Sequence, residues 1–366
     1  MKIDSINLVN FRNYELLHIK FSKFLNIIYG KNGMGKTNLI EAIYLLSLTK
    51  SFRISNDKSL IKKGCLKTKV RGEIIKNDDL SSYEVIISND GKNVLIDNNK
   101  VDKISDYVSK INIILFSPID TRLIDESPSE RRKMINIEIS QLYKEYLIIL
   151  ANYQKILKQR NFYLRSLYLN ANKDTQYLDI LTRKLIEYGL LIYKYRSNFC
   201  ENINKYIGEI YNKIFKNGNL KVKYISNYKN KNSEQLLKSY QNNYKKEMEI
   251  GKTLLGVHHD DIAFILDDNN LKDWGSEGQR KNAIISFKLA EINLVYKVKN
   301  NYPILILDDL FSELDKEKIT NILKILDKNV QTFITTTEIN KIDKKIKDNA
   351  KIFKVDNGNI KEDTNE

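Results

Sequence analysis

The residues with the clearest chemistry lie near the start of the chain: Gly30-Lys31-Asn32-Gly33-Met34-Gly35-Lys36-Thr37. Gly30, Gly35, Lys36 and Thr37 satisfy the GxxxxGK[ST] spacing, in which glycines let a loop wrap until successive backbone N–H groups face phosphate oxygens. The helix that should follow adds partial positive charge at its N-terminus. In this pattern Lys36 reaches the β- and γ-phosphates and Thr37 turns its hydroxyl to Mg²⁺. A second cluster ends an apolar run: Pro303-Ile304-Leu305-Ile306-Leu307 closes in Asp308-Asp309. A buried strand ending in paired acids is where a P-loop ATPase keeps its Mg²⁺ carboxylate, which gives Asp308 to the metal. Asp309 is then the base that orients the attacking water.

Three further clusters are less specific. Arg12, within Asn10-Phe11-Arg12-Asn13-Tyr14, either flanks the nucleotide or makes an ordinary strand-end turn, and spacing does not choose. Gly256-Val257-His258-His259-Asp260-Asp261 gathers two histidines and two carboxylates. If that segment is extended, adjacent side chains point to opposite faces, so His258 and His259 do not readily share an ion and a metal reading is set aside. Ser276-Glu277-Gly278-Gln279 is by itself a helix-capping pattern.

The elements that must position these groups follow from periodicity. An apolar run at 24–29 predicts the strand before the loop, and Leu39, Ala42, Ile43 and Leu46 mark one face of the helix after it. Residues 68–75, 83–88, 93–96 and 111–116 read as strands, with Asn89-Asp90-Gly91 as a hairpin turn. Ser127-Pro128-Ser129-Glu130 starts a helix, with serine as cap and proline at the first position. A stripe through Ile135, Ile139, Leu142, Tyr146, Ile149, Tyr153 and Ile156 is interrupted at Arg160 and resumes at Tyr163 and Leu167. Residues 170–174 break it. A second stripe runs from Leu178 to Phe199 and slips by a four-residue stutter at Ile203, Tyr206 and Ile210. The pair predicts an antiparallel helical hairpin with arms of roughly 50 Å at about 1.5 Å per residue. Its apolar stripes are packing surfaces. Downstream come a strand at 220–225, a weak helix from Ser233, a helix after Gln279 with Ala283, Phe287, Ala290 and Leu294 inside, and a strand at 332–337. Residues 351–355 are expected to close the sheet. The expected division is an α/β head, 1–116 with 300–366, and a helical lobe, 117–299.

Composition bounds the setting. Two cysteines, Cys65 and Cys200, lie far apart with no CxxC, which fits a reduced cytoplasmic setting and excludes a disulfide framework. No uncharged apolar run is long enough to span a membrane, and the start lacks a signal-peptide core. The net charge of +15 points to a polyanion, nucleic acid or anionic membrane. Lysine, asparagine, isoleucine and tyrosine are overused throughout, as an AT-rich genome produces, so charge alone does not decide.

Taken in order, these motifs resemble the ATP-binding-cassette ATPases of the SMC-like type, and within them the RecF family. The residues that carry the resemblance are 10–14, the loop Gly30 to Thr37 with 38–44, Ser51-Phe52-Arg53, Ser127-Pro128 with Arg131-Arg132, 256–261, Ser276 to Gln279, and Leu307 to Asp315. They span nearly the whole chain. The resemblance implies a P-loop ATPase head of mixed sheets plus a helical arm lobe that carries the signature motif and a short antiparallel hairpin. It implies ATP and Mg²⁺ as cofactors, and a homodimer closing on two ATPs. Ser276 would contact the γ-phosphate held by the other subunit, Gln279 would begin the signature helix, and Asp315 would sit at the interface. It further implies slow, DNA-stimulated hydrolysis used as a switch, binding of single-stranded and gapped double-stranded DNA, and work with RecR and RecO to direct RecA, with no membrane partner.

This chain departs from the family at Val257 and His259, where proline and arginine are usual. Many cassette ATPases have glutamate where Asp309 stands. Thr335 to Thr337 occupy the place of a transporter's switch histidine. Other readings are an SMC-like chromosome-organising ATPase head, which needs a far longer coiled coil, a transporter ATPase, and a binding module with vestigial hydrolysis. Arg131, Arg132, Arg160 and Arg165 are candidates for DNA phosphate contacts, each weighed against a plain solvated charge.

Overall fold

The computed structural model describes residues 1–169, 175–216, 218–310 and 314–363. The expected break at 170–174 and the residues Ser312 and Glu313 of the last motif lie outside the described residues. The chain forms two compact units, Met1–Arg122 with Glu209–Gly218 and Lys281–Glu366, and Leu123–Gly208 with Asn219–Arg280.

The first unit opens with β1 (Lys2–Phe11), β2 (Tyr14–Lys20), β3 (Leu25–Tyr29) and α1 (Lys36–Leu48). It continues through β4 (Lys67–Lys76), β5 (Asp79–Ser88), β6 (Gly91–Ile96), β7 (Asn99–Lys100), α2 (Ile104–Val108) and β8 (Ile113–Phe116). One six-stranded sheet, in order β2-β1-β4-β5-β6-β7, pairs antiparallel throughout. Its strands alternate, with Thr68, Val70 and Ile74 of β4 buried between more exposed neighbours, as a one-sided sheet requires. The Asn89-Asp90 turn joins β5 to β6 at the Ser88 and Gly91 pair.

The second unit holds α3 (Pro128–Leu142), α4 (Lys144–Leu169) and α5 (Gln176–Ile203), after which the chain restarts as α6 (Ile207–Phe215), most of which belongs to the first unit. Then come β9 (Leu220–Ile225), α7 (Ser233–Gln241), α8 (Tyr244–Ile250), β10 (Asp261–Leu266), β11 (Asn269–Asn270) and α9 (Leu271–Trp274). Contacts Tyr143 to Tyr195, Arg196 to Tyr146, Arg160 to Thr182 and Tyr163 to Tyr177 run in opposite senses along α4 and α5, so the hairpin is antiparallel. Tyr146, Leu178, Leu185 and Ile192 of the stripes are fully buried.

Several local expectations are corrected. The first stripe breaks at Tyr143, whose backbone is extended, and passes unbroken through Arg160. The stutter is a real end of helix, between Ile203 and Ile207. Ser127 does not cap with its side chain, which bonds the Ser129 hydroxyl at 2.5 Å instead. The weak helix from Ser233 has a full capping box, Asn232 with Gln235.

The remaining elements are α10 (Glu277–Lys299), β12 (Ile304–Leu307), α11 (Lys316–Ile325), β13 (Thr332–Thr336), α12 (Lys344–Lys347), β14 (Ala350–Asp356) and β15 (Asn359–Glu362). The second six-stranded sheet, in the first unit, has the order β15-β14-β3-β13-β12-β8. From β14 to β8 every pair is parallel. β8, expected as a strand, joins this sheet: its four residues are all buried, and continuous burial belongs to a parallel sheet covered on both faces. Residues 351–355 do not form the edge: β14 lies inside, against β3, and β15 is outermost.

Candidate nucleotide site

β3 delivers the phosphate loop. Its residues pair with β13 on one side and β14 on the other, Ile27 opposite Ile334 and Ile352, so the loop leaves a strand fixed from both edges. The helix α1 begins at once, with Leu39 N–H bonding the Gly35 carbonyl at 3.0 Å. Gly35 has φ of 121°, and a Cβ there would lie 2.7 Å from Asn13 Nδ2 and 2.9 Å from Tyr14 Oη, so only glycine fits. Lys31, Asn32 and Gly33 are exposed at the loop's tip. Lys36 is buried and folds back onto its own loop, its Nζ donating to the Gly30 carbonyl at 2.7 Å and the Lys31 carbonyl at 3.0 Å. Burial pulls the Lys36 ammonium below its ordinary value, against the opposing pull of Asp309 and Asp308.

The acidic pair follows β12. Asp308 is buried, and its Oδ1 accepts from Thr335 Oγ1 at 2.5 Å and lies 3.5 Å from Thr37 Oγ1. Burial raises the Asp308 pKa; the Thr335 bond and the charges of Arg53 and Lys36 lower it, while Asp309 raises it further. Asp309 sits in the left-handed region at φ 49°, and its N–H bonds Thr335 Oγ1 at 2.9 Å. One buried hydroxyl, at the end of β13, thus fixes both acids. Thr37 and Asp308 offer hard oxygen donors close together, a donor set that suits Mg²⁺.

Arg12 is engaged within its own unit. Nε and Nη2 form a fork on the Glu41 carboxylate, both at 2.8 Å, and Nη1 bonds the Ser59 carbonyl at 3.0 Å. Glu41 is fully buried in α1 and also accepts from the Ser51 hydroxyl at 2.5 Å. Arg53 is held by Asn38 Oδ1 at 3.1 Å. Sequence reasoning singled out Ser51-Phe52-Arg53 without giving it a task, and gave Thr335 only a position. Nothing in local spacing says that Glu41, one turn into α1, is the buried acid that both arginines share.

The remaining candidates, Ser276 and Gln279, lie in the second unit. Gln279 N–H bonds Ser276 Oγ at 3.2 Å and Ser276 N–H bonds Gln279 Oε1 at 2.9 Å, a reciprocal cap on α10. The histidine cluster in the same unit is a turn before β10. His258 and His259 do not diverge: their rings lie 4.2 Å apart and each places Nε2 near the Thr253 carbonyl. Among the described residues no group of three or more histidines, cysteines and carboxylates is arranged to hold a metal ion.

The arm arginines are neither phosphate contacts nor solvated charges where they are buried. Arg131 forks onto Asp261 and donates to the carbonyls of Leu123, Ile124 and Glu126. Arg160 is fully buried against Glu247, Thr182 and Thr253. Arg132 donates to the Asp260 carbonyl, and the more exposed Arg165 to that of Gly251.

The family model described as RecF/RecN/SMC N terminal domain matches residues 2–361. The chain is 38% identical to the DNA replication and repair protein RecF of Enterococcus faecalis over 98% of each chain, and 36% identical to that of Listeria innocua over 99% of this chain and all of the relative. The solved recombination mediator protein RecF-ATP of the RecFOR pathway superposes with a TM-score of 0.90 at 29% identity, covering 99% of this chain and 98% of that one. An Smc head bound to a winged-helix domain of ScpA gives a TM-score of 0.58 at 17% identity over 99% and 98%, which is a likeness of fold alone. The fold is that of an SMC-like ATP-binding-cassette ATPase head, and the chain belongs to the RecF family of DNA replication and repair proteins.

Proposed function

We propose that this chain binds and slowly hydrolyses ATP with Mg²⁺, and uses the bound nucleotide to dimerise on DNA. The observation that supports it best is the convergence, in one unit, of Lys36 at the mouth of a glycine loop with Thr37 and Asp308 within 3.5 Å. Thr37 and Asp308 would hold Mg²⁺, which supplies charge neutralisation at the β- and γ-phosphates. Lys36 exchanges its two carbonyl partners for phosphate oxygens. Asp309, held by Thr335, orients the water. Arg53 adds positive charge close enough to act on Asp308. Ser276 and Gln279, on the helical lobe of a second copy, complete the site across the dimer. Relatives named for replication and repair, and a structural neighbour from the RecFOR pathway, support a task at single-stranded or gapped DNA with RecO and RecR, ending in RecA loading. Among the described residues no helix is long and apolar enough to cross a membrane.

The test is DNA binding and mass by light scattering, with and without ATP, for wild type, Lys36→Ala and Ser276→Arg. The expected result is dimer and tight DNA binding only for wild type with ATP. Lys36→Ala should weaken ATP binding on the order of 100-fold or more, while Ser276→Arg keeps ATP and stays monomeric. A dimer without nucleotide, or DNA binding indifferent to Lys36, defeats the switch.

A further inference from the structure

The phosphate loop has an outer wall made of two hairpins from opposite ends of the chain. β1 and β2 join through Arg12 and Asn13, with Phe11 paired to Tyr14. β14 and β15 join through Asn357 and Gly358, with Asp356 paired to Asn359. Both turns reach the same atom. The Met34 carbonyl accepts from Asn13 Nδ2 at 3.1 Å and from Gly358 N–H at 3.1 Å. One residue on, the Gly35 carbonyl accepts from Tyr14 Oη at 2.9 Å as well as from its helical partner Leu39. The C-terminal hairpin also bonds the residue that leads into the loop, through Asp363 and the Tyr29 hydroxyl.

A peptide unit is planar and trans here, so its C=O and N–H point in opposite directions. Donors that hold the Met34 carbonyl outward therefore turn the Gly35 N–H inward, away from both hairpins. Tyr14 does the same for the Gly35 carbonyl and the Lys36 N–H. These are the amides that the loop presents to phosphate oxygens. Gly35 has no side chain to restrain it, and glycine peptides flip at low cost, so the orientation must come from outside. We propose that Asn13 and Gly358 are positioning residues for nucleotide binding: through the Met34 carbonyl they pre-set the Gly35 amide, which makes the C-terminal hairpin part of the ATP site.

Gly358 is suited to this. Its φ is 78°, and a Cβ would lie 2.8 Å from the Asn13 carbonyl, so any side chain pushes the two turns apart and takes its N–H off Met34. Asn13 is exposed, and Asn13→Ala removes the other donor, along with the Oδ1 that accepts from Asn38 Nδ2 at 2.8 Å, with little to disturb in the core. The two donors share one acceptor, so losing either leaves the carbonyl held by a single bond and less firmly, and losing both frees it.

The inference rests on the ATP-site reading above, and the full-length chain tests it. Asn13→Ala, Gly358→Ala and the double variant are titrated with ATP, assayed for KM and kcat with Mg²⁺, and melted without nucleotide. Each single variant should raise Kd and KM about 3- to 10-fold with kcat unchanged, because a preset amide holds ground and transition states alike. The double variant should lose more than the product of the two singles. Unchanged KM in all three, a simple multiplicative pattern, or kcat falling at constant KM, which marks a smaller folded fraction, overturns the proposal. If Gly358→Ala does not fold, Asn13→Ala decides: a raised KM at unchanged kcat supports the role, and a wild-type KM removes it. Wild type that binds no ATP would instead overturn the ATP-site reading, whatever the variants do.

Discussion

The two units use their charged groups in opposite ways. In the first, Lys36 donates to two carbonyls of its own loop, and Thr37 meets Asp308 through a long bond of 3.5 Å. These are contacts that a ligand can replace. In the second, Arg131, Arg160 and Arg196 are buried with all three guanidinium nitrogens bonded, to carboxylates, hydroxyls, an amide oxygen and carbonyls from several elements. Burying a guanidinium is costly unless each N–H finds an acceptor, and here the acceptors are provided. The arm arginines act as internal ties between helices, so neither the net charge nor an arginine count in the arm measures its affinity for a polyanion.

The largest effect that this contrast predicts is on stability, at Arg160. Its guanidinium contacts Glu247 at 2.6 Å, Thr182 at 2.9 Å and Thr253 at 2.8 Å, and stands 5.1 Å from the Tyr240 ring and 5.6 Å from that of Tyr244. Arg160→Ala leaves Glu247 buried and unpaired, which should cost about 3–5 kcal/mol. Urea unfolding of the full-length protein measures it, and ATP affinity should stay as in wild type. The double variant Arg160→Met with Glu247→Leu should recover most of the loss. A single variant that is stable but loses DNA binding would show that the arginine faces DNA after all, and would erase the contrast.

The next effect is on chemistry, in the first unit. Asp309→Asn keeps size and the backbone bond to Thr335 but removes the base, so turnover should fall about 100-fold or more, with ATP binding and melting temperature close to wild type. Single-turnover hydrolysis separates the steps. Retained turnover would mean that Asp309 is only a backbone residue held in an unusual conformation, and the first unit would then resemble the second in using its charge for structure.

How far the chain could be read from sequence follows the same division. The phosphate loop, the strand before it and the acidic pair were legible because each chemistry needs fixed residue types at short spacing, and the strand before Asp308 is apolar without interruption. β8 was legible as a strand while its sheet was not, since four residues carry no pairing direction. What stayed hidden was long-range. Glu41 joining Arg12 to Ser51, Thr335 bridging Asp308 and Asp309, and Gly358 reaching Met34 depend on strand order, which a single sequence states only indirectly. Two arginines of α3 and α4, Arg131 and Arg160, were misread for the opposite reason. A residue's type sets its charge, while its burial is set by the stripe on which it falls, and the stripe is tolerant of a long polar side chain that finds partners.

The smallest predicted effect concerns the histidine turn and sharpens the picture of the second unit as one that uses its polar groups for structure. His258 Nδ1 is 2.7 Å from the Tyr153 hydroxyl, and Nε2 lies 3.3 Å from the Thr253 carbonyl, which can only accept, so Nε2 carries a proton. Burial, then the neighbouring His259, pushes its pKa down to about 3. The groups around it are basic as well, since Arg132 and Arg160 also disfavour its charge. An unfolded chain takes up a proton near pH 6.5, which the folded state refuses until far lower pH, so the unfolded state binds more protons across that window and stability falls as pH drops below about 6.5. Between pH 6.5 and 5 the loss is about 2 kcal/mol from this one group. Urea midpoints for wild type and His258→Gln at pH 7 and pH 5 test it: the variant should be somewhat weaker at pH 7 but should lose about 2 kcal/mol less on acidification. Equal losses would mean that His258 accepts a proton in the folded protein, and that the turn before β10 is open enough to solvate a charge.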